Sequence, residues 1–151
     1  MQHDVYESAY LKTILETVKT IALTGASPNP ARPSHGVMHF LLNQGYRVIP
    51  VNPGQAGKDI LGQTVFASLA DIPEPVDMID VFRASEYLPS VVDEALGLTH
   101  VPKVIWAQLG VRDDQAAARA EAAGIKVVMN RCPAIEYLKR NWSRTVTRPI
   151  G

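Results

Sequence analysis

Residues 24–36, Thr24-Gly25-Ala26-Ser27-Pro28-Asn29-Pro30-Ala31-Arg32-Pro33-Ser34-His35-Gly36, combine the features of a phosphate-binding loop. Gly25 permits a tight turn straight off the apolar run that precedes it. Pro28, Pro30 and Pro33 stiffen the segment and keep helix out of it. Ser34 is a natural N-cap for a helix that begins here. Gly36 lets backbone approach a ligand closely. The N-terminus of a helix offers unpaired N–H groups and the positive end of a dipole to an anion. Arg32 adds a planar guanidinium that grips phosphate oxygens in pairs. The plainer alternative is a rigid connection with Arg32 solvated. The ligand reading is favoured because the loop after the first strand is where open α/β sheets bind ligands.

The same stretch excludes several chemistries. There is no G-x-x-x-x-G-K-[ST], which argues against a P-loop NTPase. A strict G-x-G-x-x-G is also missing, with Ser27 at the second glycine position and Pro30 at the last. The next strand ends Val51-Asn52-Pro53, without the carboxylate that usually holds an NAD ribose diol. Arg32 and Arg47 leave room for a 2′-phosphate, so an NADP-dependent oxidoreductase remains an alternative. His35 and His39 have the i, i+4 spacing of a metal pair. Gly36 stands where H-E-x-x-H has its Glu, however, and no third ligand is apparent, so a metal site is not expected. A Ser27–His35–Asp triad lacks a G-x-S-x-G elbow. Asp77 and Asp80 are read as strand-end or ion-paired acids rather than a catalytic pair. Cys132, next to Arg131 and just before a helix, is read either as a thiol near the ligand or as a small buried residue. Trp106 and Trp142 suit packing better than base stacking.

These residues sit on an alternation of apolar runs and helix-like segments. Strands are expected at 19–24, 46–51, 78–82, 103–107 and 125–129, with a short edge strand at Val65 and Phe66. Helices are expected at 34–44, at 85–98 with Ser85 as N-cap, at 113–123, and from 133 to 140. An extra helix is expected over 4–18. Runs apolar throughout, each followed by an amphipathic helix, imply a doubly wound, mainly parallel sheet of five or six strands. The expected class is therefore α/β, Rossmann-like, with helices on both faces.

A chain of 151 residues fits one domain, with a core over about 15–142 and a loose tail over 143–151. With 46% hydrophobic and 20% charged residues it can bury a core, and its composition is not that of a disordered chain. Formal net charge is zero, so no basic excess points to nucleic acid or to a membrane surface. One cysteine cannot form an internal disulfide. The first 19 residues carry Asp4, Glu7 and Glu16 and lack the pattern of a signal peptide. The expected compartment is the cytoplasm.

The sequence also carries a set of short segments in a fixed order. They are Gly25-Ala26-Ser27, Arg32-Pro33-Ser34-His35-Gly36, residues 45–53 (Gly-Tyr-Arg-Val-Ile-Pro-Val-Asn-Pro), Val81-Phe82-Arg83, Gln108-Leu109-Gly110 and Asn130-Arg131-Cys132-Pro133. Together they resemble the stand-alone CoA-binding proteins, which are similar to the N-terminal domain of the succinyl-CoA synthetase alpha subunit. The resemblance covers roughly residues 15–142. It implies a Rossmann-like fold with coenzyme A across the carboxyl edge of the sheet. It puts Gly25, Ala26, Ser27, Arg32, Ser34 and His35 beside the phosphates, and Val51, Asn52 and Pro53 at the adenosine end. It puts Phe82 and Arg83 in the pocket wall, and Trp106, Gln108 and Leu109 near the pantetheine. In the synthetase, chemistry needs a histidine from a second domain and a partner subunit. The resemblance therefore implies CoA or acyl-CoA binding without catalysis by this chain alone. A protein partner, a synthetase completed by other chains, or a weak homo-oligomer is compatible with it.

Overall fold

The structure is a computed structural model that describes residues 1–140. The expectations for Trp142 and for a tail over 143–151 lie outside the described residues. The elements follow in order: α1 (Ser8–Thr17), β1 (Thr20–Thr24), α2 (Pro33–Asn43), β2 (Arg47–Val51), β3 (Asp59–Ile60), β4 (Gln63–Thr64), β5 (Met78–Val81), α3 (Leu88–Leu96), β6 (Val104–Ala107), α4 (Asp114–Ala122), β7 (Lys126–Val128) and α5 (Pro133–Lys139). The main sheet has five parallel strands in the order β2-β1-β5-β6-β7. This is the α/β, Rossmann-like fold expected from the alternation. The chain leaves β1 for β2 on one side and returns to β5 on the other, so the order reverses between β1 and β5. The loops beyond β1 and β5 diverge there and leave a crevice at the carboxyl edge.

Both faces of the sheet are buried, and the strand period of two divides its side chains cleanly. Ile21, Leu23, Val48, Met78, Trp106 and Val128 pack with Leu11, Ile14 and Leu15 of α1, Val37, Met38 and Leu41 of α2, and Tyr137 of α5. Ala22, Ile79, Val81, Ile105, Ala107 and Val127 pack with Val91, Val92 and Ala95 of α3 and Ala116, Ala117 and Ala120 of α4. Asp80 belongs by alternation to the Trp106 face. It is fully buried, and neither carboxylate oxygen has a hydrogen-bond partner among the described residues. Burial pushes its carboxyl well above the usual range. Asp77 serves differently. Its Oδ2 accepts from the backbone N–H groups of Lys19 and Thr20 at 2.9 and 3.0 Å and so secures the start of β1. The two acids are not a pair.

Four local expectations need correction. The first helix starts at Ser8, and the residues before it form a strap. Within that strap the buried His3 meets Tyr6 and Glu121. Ser34 is not an N-cap: the helix begins one residue earlier, at Pro33, and Arg32 holds the cap position without a side-chain cap bond. Proline at the first helical position has its φ preset and no N–H to satisfy, which explains the early start. Ser85 opens a 3-10 turn rather than capping a helix, and α3 begins at Leu88. Among the described residues the main sheet has five strands and no edge strand at Val65 and Phe66. Phe66 makes one parallel bridge to Val51, and β3 and β4 form a separate antiparallel hairpin.

Candidate functional site

The crevice at the strand reversal is a cleft of about 640 Å³. That is within the usual size for a small-molecule site. Its walls come from four carboxyl-end loops. The loop after β1 supplies Gly25, Ala26 and Ser27, and the start of α2 supplies Arg32, Pro33 and Ser34. Asn52 follows β2, Phe82, Arg83 and Ala84 follow β5, and Gln108, Leu109, Gly110 and Val111 follow β6. Ladder-like bonds carry each loop off its neighbour. The Phe82 N–H donates to Thr24 O at 2.9 Å, and the Gln108 N–H donates to Val81 O at 3.1 Å.

Gly25 sets how closely the walls approach. Its φ is +82°, and a Cβ there would lie 2.2 Å from the carbonyl oxygen of Phe82. Only glycine fits both the backbone conformation and the contact. The Gly25 and Ala26 N–H groups both donate to Val51 O, at 3.1 and 3.3 Å. The loop beyond is braced by its own side chains. Ser27 Oγ accepts from the Asn29 N–H at 3.1 Å, Asn29 Oδ1 accepts from the Ala31 N–H at 3.0 Å, and Asn29 O accepts from the Arg32 N–H at 3.0 Å. This bracing delivers the start of α2 to the cleft, with the Arg32 side chain exposed beside it.

The electrostatics are one-signed. Arg32 and Arg83 line the cleft and no Asp or Glu does. Neither arginine forms an ion pair among the described residues, and Arg83 lies 4.5 Å over the Tyr87 ring. Asn52 is held from both ends: its Nδ2 donates to Ala26 O at 2.7 Å and its Oδ1 accepts from the Gly54 N–H at 2.8 Å. It is thus engaged in joining two loops and is not positioned to replace the ribose-binding carboxylate of NAD sites. Gln108 is 8% exposed, and its Oε1 has no partner among the described residues. A buried carbonyl oxygen of this kind calls for a donor.

Of the residues expected at the site, Gly25, Ala26, Ser27, Arg32, Ser34, Asn52, Phe82, Arg83, Gln108 and Leu109 meet in this cleft. His35, Val51, Pro53 and Trp106 do not line it. His35 is half-buried one residue further into α2, and Pro53 is exposed in the turn after β2. Val51 is core, contributing only its carbonyl to the loop. Trp106 is wholly buried in β6, and its Nε1–H donates to Arg131 O at 2.9 Å. It supports the wall from beneath, in keeping with the packing reading of this residue. Sequence reading missed Pro33, Ala84, Gly110 and Val111 as cleft residues. It also missed Ser85, whose Oγ accepts from the Arg112 N–H at 2.9 Å and donates to Gly110 O at 3.3 Å, tying two walls together. The signal for Ala84, Gly110 and Val111 was their place just past strands. His39 is exposed, and no cluster of metal-ligating residues occurs among the described residues. Cys132 is buried at the N-cap of α5. No helix among the described residues is long and apolar enough to cross a membrane.

Comparison with known proteins gives the site a context. The Bacillus subtilis protein YneT is 40% identical over 129 residues, covering 85% of this chain and 93% of that protein. A solved structure of a Thermus thermophilus protein is 40% identical with a TM-score of 0.83, covering 89% of this chain and 98% of that one. The alpha subunit of the ADP-forming acetate–CoA ligase I of Pyrococcus furiosus is 31% identical over 80 residues. That match spans 50% of this chain and only 17% of the ligase subunit. The family described as the CoA binding domain matches residues 19–138, nearly all of the α/β sheet and its helices. On that match, the chain belongs to the CoA binding domain family.

Proposed function

We propose that this chain binds coenzyme A, or an acyl-CoA, across the carboxyl edge of its sheet, and catalyses no reaction by itself. The observation that carries this reading is the cleft's charge. Among the described residues, two arginines without ion-pair partners flank a helix start, and no carboxylate lines the cleft beside them. Such a lining favours a polyanion, and the phosphates of CoA supply one. Gly25, Ala26, Ser27, Arg32 and Ser34 take the phosphates, with His35 one step beyond. The adenosine lies toward Val51, Asn52 and Pro53. The pantetheine runs over Phe82 and Arg83 toward Gln108 and Leu109, and an amide N–H of the pantetheine satisfies Gln108 Oε1.

The likeness to a ligase subunit supports a second element of the proposal. A chain of this kind completes an acyl-CoA synthetase when other chains supply the remaining groups. The same reading makes residues 1–151 one CoA-binding domain working in the cytoplasm. An NADP-dependent oxidoreductase is the competing reading, and among the described residues the cleft wall holds no His, Tyr, Lys, Asp or Glu to serve it as a general acid.

Calorimetric titration with CoA, dephospho-CoA, acetyl-CoA and NADP in parallel tests the proposal. Saturable binding of CoA, weaker binding of dephospho-CoA and no heat from NADP is the expected result. Binding of NADP alone overturns it.

A further inference from the structure

A second cleft, of about 540 Å³, opens at the carboxyl ends of β6 and β7, and Leu109 borders both clefts. The wall between them is fixed, because Asn130 Oδ1 accepts from the Gly110 N–H at 2.7 Å. Val5, Leu11 and Ile135 give the second cleft apolar lining. Its charged lining is unbalanced: Arg131, Lys139 and Arg140 face it against the single carboxylate of Glu136. Glu136 is buried and already held by Arg140 at 3.1 Å and Lys139 at 3.5 Å. Arg131 has no carboxylate partner among the described residues. Its guanidinium donates to the carbonyl oxygens of Asn130 and Asp4 at 2.8 and 3.0 Å and lies 5.0 Å over the Tyr6 ring. These contacts hold the group in place and leave its charge uncompensated.

We propose that the second cleft is an acyl subsite selective for an acyl group that ends in a carboxylate. The inference rests on the CoA reading of the first cleft. A pantetheine that passes Gln108 reaches Leu109, and the next part of the ligand is the thioester and its acyl group. The apolar lining suits the methylenes of that group. The cationic excess suits a terminal carboxylate, which a charge-assisted pair with Arg131 orients. A purely aliphatic acyl group fills the same space but desolvates cations without pairing them, which is costly.

The test is calorimetry on the full chain with CoA, glutaryl-CoA and valeryl-CoA, the last two having equal carbon counts. Glutaryl-CoA is expected to bind about tenfold more tightly than valeryl-CoA, the scale of one charge-assisted hydrogen bond. Arg131→Ala is expected to remove most of the difference between the two acyl-CoAs and to leave CoA unchanged. Lys139→Ala, at an exposed side chain, is expected to narrow the preference without threatening the fold. Parity in the parent chain overturns the acyl subsite while leaving CoA binding intact. So does an equal loss for CoA and glutaryl-CoA in Arg131→Ala. Tight binding of free glutarate without CoA also overturns it, in favour of an independent anion site. If none of the three CoA compounds binds, the CoA reading fails and the acyl subsite with it.

Discussion

Arg32 and Gly25 serve the same loop by different physics. Arg32 contributes charge at an exposed position, so its removal is expected to touch binding and spare the fold. Arg32→Ala should weaken CoA by about 1.5–3 kcal/mol, the range for hydrogen bonds to a charged group. Calorimetry reads this, and an unchanged affinity removes Arg32 from the phosphate site. Gly25 contributes space and a positive φ. Gly25→Ala forces a methyl group against the Phe82 carbonyl and strains the backbone. It should cost about 2–4 kcal/mol of stability, from overpacking together with a disfavoured φ. A urea midpoint equal to the parent's would show that the loop relaxes freely.

Elements were legible where one residue pattern had one structural answer. The apolar runs at 20–24, 47–51 and 104–107 could hardly be anything but buried parallel strands, and Asp113 caps α4 as its type suggests. Legibility failed where two answers compete locally. Ser34 and Ser85 both look like caps, but Pro33 starts one helix earlier and the Ser85 hydroxyl is engaged with the loop after β6. The β3–β4 hairpin turns at Leu61 and Gly62, with φ of +49° and +78°. Leucine is not a residue that announces such a turn. Within the strap over 1–7, residues 4–7 read as the start of the first helix, whereas α1 begins at Ser8. The value of this N-terminal segment lies in long-range bonds. The strap's Tyr6 hydroxyl accepts from the Met129 N–H at 2.8 Å, and from the first turn of α1 the Tyr10 hydroxyl donates to Val127 O at 2.9 Å. Burial pushes the Tyr10 phenol up to about 12. Tyr6→Phe and Tyr10→Phe should each cost about 1 kcal/mol, the net worth of a hydrogen bond. They should also speed hydrogen exchange at Met129 and Val127 relative to the β1 amides. Uniform acceleration across the sheet would mean that the tyrosines act globally instead.

For the molecule as a whole, Asp80 makes stability depend on pH. It sits in the central strand, fully buried, with its carboxyl held well above the ordinary range by burial. A raised folded-state value means that folding favours the protonated acid. The stability tied to this group is therefore complete below the ordinary carboxylate range, and it declines as pH rises through that range toward the raised folded value. Asp80→Asn abolishes this titration. The melting temperature of Asp80→Asn relative to the parent should rise as pH is taken upward from the ordinary carboxylate range toward the raised folded value. A constant difference across that interval would show that Asp80 does not set the slope. A buried, unpartnered acid in the middle of a sheet is invisible to a sequence reading, because Asp80 and Asp77 look alike three residues apart.

The two outer strands of the sheet end in different ways, and the difference bears on self-association. Beyond β7, two tyrosine hydroxyls occupy backbone groups that another strand would need. Beyond β2, the Phe66 N–H donates to Pro50 O and the Asn52 N–H donates to Phe66 O, so that margin is taken as well. A strand added at either margin would have to displace these contacts. Edge-to-edge extension of the main sheet therefore competes with bonds that the chain already makes to itself.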